Sequence, residues 1–296
     1  MQKTCNKAST RSPNQARKGI VICADDFGMS AGIDAGILQL ASAGRLSAVS
    51  CLTQGATWKH QIRSLAALPV DIGLHLNFTE SFASGQFFLP LPRLIAACYG
   101  RRLPAAAIAA EINAQLDAFE AGFGRPPDYI DGHQHVHQLP MVRESLLQIM
   151  ALRYPGQGLW LRSTRPPWRS PVANPYPLKA AIIAMLGARK MRRLASAQGL
   201  PMNGRLLGVY DFSASREKYA DLLRTWLAIA ADGDLLMCHP AVFAEPEDCI
   251  GPQRTREFSV LADSRFPTWL EQQGLTLSRL SQATARPTGT PGWHPG

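Results

Sequence analysis

GIVICADDFGMS, residues 19 to 30, is a short apolar run that ends in two adjacent aspartates and a glycine, just ahead of a stretch with helical spacing. An apolar run, a polar break and a helix make the βα unit of a parallel sheet. The pattern repeats along the chain. Apolar runs recur at LSAVSCL (46–52), DIGLHLN (71–77), YIDGHQH (129–135), GLWLRS (158–163), RLLGVY (205–210) and DLLMCHP (234–240). Between most of them lie longer segments with helical spacing, such as Ile108, Ile112, Leu116 and Phe119, or Tyr219, Leu222, Leu223, Trp226 and Leu227. About seven such units, with an eighth strand near LTLSRL (275–280), predict an α/β fold, a TIM-barrel-like (β/α) barrel of seven to eight parallel strands.

A chain of 296 residues that is 46% hydrophobic is expected to build one such domain, placed at 19–285. Residues 1–18 hold five Lys or Arg and no acid, and residues 286–296 read RPTGTPGWHPG; both are expected to be disordered tails. The first 18 residues lack the apolar core of a signal peptide. The six cysteines form no CxxC pair or dense framework, which points to reduced thiols and a cytoplasmic protein.

Chemistry-bearing side chains gather where the strands end. Asp25 and Asp26 close the first run, His75 and Asn77 the third, Asp131, His133, His135 and His137 the fourth, and His239 the seventh. Five of the seven histidines are thereby placed at predicted strand ends, the part of a barrel from which catalytic groups are drawn. Alternate residues of an extended segment share a face, so His75 points with Asn77. By the same rule, Asp131 and the three histidines after it share a face if the segment stays extended. Asp26 or Ser30 is also placed to cap a helix that begins near Ala31.

One carboxylate and two imidazoles bind a divalent cation and leave positions open for water and substrate. A second carboxylate beside the metal takes the water's proton, so of the aspartate pair one would ligate and its neighbour act as base. The nearby cation lowers the cost of holding two carboxylates together. A leaving amine needs an acid, and a histidine from another strand, such as His239, is the natural candidate.

ADDFGMS, GLHLNFTE, YIDGHQHVH and LLMCHPA, in this order, resemble the YdjC-like carbohydrate deacetylases, which include chitooligosaccharide deacetylases and enzymes associated with hopanoid biosynthesis. The resemblance spans roughly residues 19–282. It implies a distorted (β/α) barrel and metal-dependent removal of N-acetyl groups from amino sugars. Asp26, His75 and His133 match the metal ligands, magnesium or zinc being the expected ion, and Asp25 matches the base. His239 matches the histidine of the last motif and is assigned as the acid. His135 and His137 match positions that line the site. Arg162, in LWLRS, resembles an arginine near the site that orients Asp25 or binds substrate.

The substrate is expected to be an N-acetylated amino sugar or oligosaccharide. Ser163–Pro177 is too rich in proline for a helix and reads as a loop over the site, with Trp168 and Tyr176 placed to stack on sugar rings. Thr79–Arg102, with Phe82, Phe87, Phe88 and Tyr99, reads as a loop forming the opposite wall.

The +9 charge is uneven: Ser145–Tyr210 contains ten Lys or Arg and no acid. Within it, PLKAAIIAMLGARKMRRLA (177–195) reads as a barrel helix with a basic end, too short to span a bilayer. This segment leaves open a phosphorylated or lipid-linked amino sugar and peripheral contact with a membrane; a homodimer is also open. A non-haem iron oxygenase shares the two-His, one-carboxylate pattern, but its ligands normally sit on antiparallel strands. Nucleic acid is not an expected partner, because no nucleic-acid motif accompanies the basic charge.

Overall fold

The computed structural model describes residues 17–82, 86–167 and 176–284. The expected tails, apart from residues 17 and 18, and Trp168 lie outside them. The predicted βα series is present. β1 (Lys18–Phe27) leads to α1 (Ala31–Ser42), β2 (Ala48–Cys51) to α2 (Ile62–Ala66), and β3 (Asp71–Leu76) to α3 (Leu91–Tyr99) and α4 (Ala105–Phe123). β4 (Tyr129–Gly132) is followed by a 3-10 turn (His133–Gln138) and α5 (Val142–Arg153); β5 (Trp160–Leu161) precedes α6 (Pro177–Met185) and α7 (Ala188–Ala197). The chain then runs through β6 (Leu206–Leu207), α8 (Arg216–Ile229), β7 (Asp234–Cys238), α9 (Gly251–Leu261), α10 (Phe266–Gln272), β8 (Leu275–Leu277) and α11 (Leu280–Thr284).

All strand pairs are parallel, in the order β5-β4-β3-β2-β1-β7-β6, with β8 paired to the start of β1. From the β5 end of this path an isolated parallel bridge joins Leu161 to Met202, four residues ahead of β6, and the curled sheet is a distorted, incompletely closed barrel. The expected eighth strand is a rim strand. The residues after β8 tie to the floor of the barrel through Asp71, whose carboxylate accepts from Arg279 Nε and Ser281 N, both at 2.9 Å.

Strand parity separates two cores. Ile20, Ile22, Val49, Ile72, Leu74 and Leu236 pack outward under the helices. Val21, Cys23, Ala48, Tyr129, Trp160 and Met237 fill the interior. Tyr129 and Trp160 stack with centroids 3.9 Å apart. Gly73 makes room for them, since a Cβ there would lie 2.3 Å from the Tyr129 ring. Continuing the inward parity by one step along each strand reaches Asp25, Ser50, His75, Asp131, Arg162 and His239. The apolar interior thus ends in a polar layer at the C-terminal mouth.

Candidate active site

Adjacent side chains on a regular strand point to opposite faces. β1 breaks that rule where it matters. Its register with β2 slips between Ala24 and Phe27, and Asp26 adopts φ 73, in the left-handed region. The bulge turns both Asp25 and Asp26 into one cleft. Gly28, at φ 94, lets the chain pass Leu52, whose carbonyl oxygen a Cβ would approach to 2.7 Å. Ser30 is the N-cap residue of α1, but neither it nor Asp26 caps through its side chain; Asp26 faces histidines instead.

Oδ1 of Asp26 lies 2.9 Å from His133 Nδ1 and 3.4 Å from His75 Nε2. One donor atom from each of the three lies within 4.8 Å of the others. His75 Nδ1 meets Asp131 Oδ1 at 2.6 Å, which orients the ring and leaves Nε2 turned to Asp26. Arg254, which carried no signal in the sequence, places Nη2 2.8 Å from the other Asp26 oxygen and is itself held by Asp248. Burial disfavours charge on Asp26, yet Arg254 and His133 bring its carboxyl well below the ordinary range. Burial likewise opposes a charged His75, but Asp131 and Asp25 outweigh it and raise the ring to about 10. A field that favours a proton between these groups favours a metal cation equally, so the donor set fits a divalent ion.

Asp25 sits beside this set and is clamped by Arg162. Nη1 and Nη2 donate to its two oxygens, each at 2.6 Å, and Nη2 also lies 2.6 Å from Asp131 Oδ2. Against the cost of burial, the guanidinium holds Asp25 ionised, far below the usual carboxylate range. Ser50 Oγ donates to Asp131 at 2.7 Å, and Tyr129 Oη and Ser50 Oγ share a hydrogen bond of the same length. Cys23, Asp25 and Asp131 also bring donor atoms together. Arg162 fills that space, 2.9 Å from Cys23 Sγ, and burial pushes the thiol up, so this cluster is an ion-pair network.

His239 lies on the other side of Asp25, its Nε2 3.9 Å from Oδ2. Its backbone N–H donates to Glu257 at 2.6 Å, and its ring meets the edge of Phe212. Burial lowers its proton affinity. Glu257 also accepts from Tyr210 and Tyr219, and like Arg254 it had no motif to betray it.

The shared face expected for Asp131, His133, His135 and His137 is corrected by the structure. β4 stops at Gly132, and Gln134 and His135 take left-handed φ values of 51 and 61. The resulting turn folds the chain back on Gly132 and splits the histidines. His133 faces Asp26; His135 lines the cleft with its buried Nδ1 unpartnered; His137 is fully buried, with Nε2 3.0 Å from the Arg162 carbonyl oxygen. Asn77 lies past the end of β3 and organises a turn. Its Oδ1 accepts from the backbone of Thr79 and Glu80, and its Nδ2 donates to the Glu80 carbonyl oxygen. Through that turn it positions Glu80, which lines the cleft.

The wall expected from Thr79–Arg102 is also corrected. Nine of its residues form α3, driven into helix by buried Leu94 and Cys98, and α3 presents Leu91 and Ile95 to the cleft. Phe87 packs on Phe78 instead. The expected single helix over 177–195 breaks at Gly187 (φ 145), where a Cβ would lie 2.2 Å from the Gln138 carbonyl oxygen. The cleft encloses about 700 Å³, with the Asp and His groups at its base and Ile95, Ile182, Ile183, Leu186 and Phe212 among its apolar walls.

Several known proteins are similar to this chain in sequence or in fold. The chain is 26% identical to a mouse (Mus musculus) carbohydrate deacetylase over 92% of its own length and 97% of that protein. A human (Homo sapiens) carbohydrate deacetylase is 27% identical over 93% of the chain and 94% of the relative. A chitooligosaccharide deacetylase of Proteus mirabilis is 32% identical over 42% of the chain and 51% of that protein. In fold, the chain resembles a putative cellobiose-phosphate cleavage protein from Enterococcus faecalis, with a TM-score of 0.65 at 21% identity, covering 91% of this chain and all of that one. The family model described as YdjC-like protein matches residues 19–272, the whole series from β1 to α10, and the chain belongs to that family.

Proposed function

We propose that this protein is a metal-dependent hydrolase that removes N-acetyl groups from an amino sugar. The observation that carries the reading is the convergence of Asp26, His75 and His133, with Asp25 beside them, at the mouth of the barrel. The names of the full-length relatives, carbohydrate deacetylases, support the same reaction.

Asp26, His75 and His133 would hold the cation, and two imidazoles suit zinc and its neighbours better than magnesium. When bound, the ion would supply a Lewis acid for the acetyl carbonyl and would lower the pKa of the attacking water. Asp25, kept ionised by Arg162, accepts the proton from that water as its oxygen bonds to the carbonyl carbon. His239 delivers a proton to the nitrogen as the C–N bond breaks, giving acetate and a free amine. Burial leaves the resting ring neutral, so the proton it passes to the nitrogen is the one Asp25, 3.9 Å away, has taken from the water. Asp131 and Ser50 keep the His75 ring and Arg162 in place. His135 forms part of the wall beside the sugar.

The apolar upper walls favour a second, narrower reading of the substrate, an amino sugar carrying an apolar group. Four buried free cysteines fit a reducing, cytoplasmic setting. The test is acetate release from N-acetylglucosamine oligomers by the metal-loaded protein, with Asp25→Asn as control. Release abolished in the variant while metal is retained supports the reading. Equal release by Asp25→Asn would remove the base assignment, and no release from any acetylated amino sugar would remove the reaction.

A further inference from the structure

The cleft has one lip that is apolar on the outside as well as on the inside. α6 turns Ile182, Ile183 and Leu186 toward the cavity, yet Leu178 and Met185 on the same helix are 73% and 71% exposed. Ile182 sits between the two faces, lining the cleft while 48% exposed. α3 joins this lip: Tyr99, 51% exposed, donates from Oη to the Met185 carbonyl oxygen at 3.4 Å. A helix nine residues long that leaves its largest apolar side chains in water has an unfilled apolar demand.

Charge surrounds the stripe. Arg189, Lys190 and Arg193 of α7 are exposed one to two turns further on, and Arg93, Arg101 and Arg102 are exposed on α3 and just after it. Of these six, Arg101 alone forms an ion pair among the described residues, with Glu144 at 3.3 Å. Apolar side chains with basic residues on the neighbouring helices suit the headgroup boundary of an anionic bilayer; Glu80, Glu245 and Glu247 line the cleft itself. The basic residues oppose a second copy of this chain, because a two-fold contact through the stripe would bring like charges together.

We propose that the α3–α6 lip docks on an anionic membrane surface, so that the cleft opens toward the bilayer. Among the described residues no helix is long and apolar enough to cross a membrane, so attachment of this kind is reversible and peripheral.

The test is co-sedimentation of the full chain with vesicles of phosphatidylglycerol and phosphatidylcholine, against phosphatidylcholine alone, at low and high salt. The expected result is retention on the anionic vesicles, weakened as salt rises. Leu178→Ser combined with Met185→Ser should lower that retention at least tenfold, as should Arg189→Gln with Lys190→Gln and Arg193→Gln. Acetate release from soluble N-acetylglucosamine oligomers should stay within twofold in both variants, which shows that they fold and separates this outcome from failure of the deacetylase reading. No retention on anionic vesicles at low salt overturns the proposal. So does a wild-type dimer in analytical ultracentrifugation that the Leu178→Ser, Met185→Ser variant converts to monomer, because a second copy then covers the stripe.

Discussion

Arg254 Nη2 lies 2.8 Å from Oδ2 of Asp26, while the other oxygen of that carboxylate faces His133 and His75. The guanidinium would therefore fix which lone pairs Asp26 offers to the proposed cation. Asp248 holds Arg254 in turn, with Oδ2 2.6 Å from Nε, so the carboxylate is oriented from two shells out. Replacing Arg254 by Gln removes the charge and the second hydrogen bond together. Metal affinity, measured by competition with a chromophoric chelator, is expected to fall about 10–100-fold, the usual cost of losing an outer partner. Unchanged affinity would mean that Arg254 does not orient Asp26 for the cation.

Arg162 stands between Asp25 and Asp131 with all three side chains buried. Without it two carboxylates would face each other across a dry interior. Arg162→Gln is expected to lower the free energy of unfolding by about 3–5 kcal/mol, because it leaves buried charge uncompensated. Lysine in its place restores one positive charge but not the fork that spans both acids. Arg162→Lys should therefore recover more stability in urea titrations than it recovers kcat.

Much of this was legible in the chain because barrel strands alternate two apolar environments. Parity alone put His75 on the face opposite Leu74 and Leu76, and both leucines belong to the outer core. It failed where the backbone leaves the strand. Nothing in YIDGHQHVH announces the left-handed pair at Gln134 and His135, since neither is the glycine that such φ values favour. Arg254 and Glu257 were invisible for another reason. They project from α9, far along the chain from the residues they hold, and an isolated Arg or Glu on a helix looks like any solvated charge. Thr79–Arg102 misled in the opposite direction, because its aromatic residues drew attention from the Leu91, Leu94, Ile95 and Cys98 spacing that makes α3.

Gly132 is the pivot of the turn that separates the histidines. A methyl group there would meet the His137 backbone nitrogen at 2.8 Å and Val136 Cγ2 at 3.0 Å. Backbone atoms cannot rotate away as a flexible side chain can. Gly132→Ala is expected to cost about 1–3 kcal/mol in stability and to shift His133 from Asp26. Metal affinity should fall along with Tm, whereas Gly124→Ala, at a helix end with open space around it, should lower Tm by strain alone and leave metal binding intact.

His137 is buried deeply enough to couple folding to pH. Burial lowers its pKa to about 4, and Asp131 and the Arg162 carbonyl oxygen only partly offset that effect. The unfolded ring titrates near 6.5. Below that value the unfolded chain binds a proton that the folded chain refuses, so stability falls as pH drops from about 6.5 to about 4 and then levels off for this group. The linked change is ~3 kcal/mol at the low end of the window. His137→Gln keeps a donor for the Arg162 carbonyl oxygen but cannot titrate. Its unfolding free energy, followed in urea between pH 7 and pH 4.5, should decline less steeply than that of the wild type, whatever its absolute stability. Parallel slopes would place the acid sensitivity in other groups and show that the His137 ring takes up its proton without unfolding.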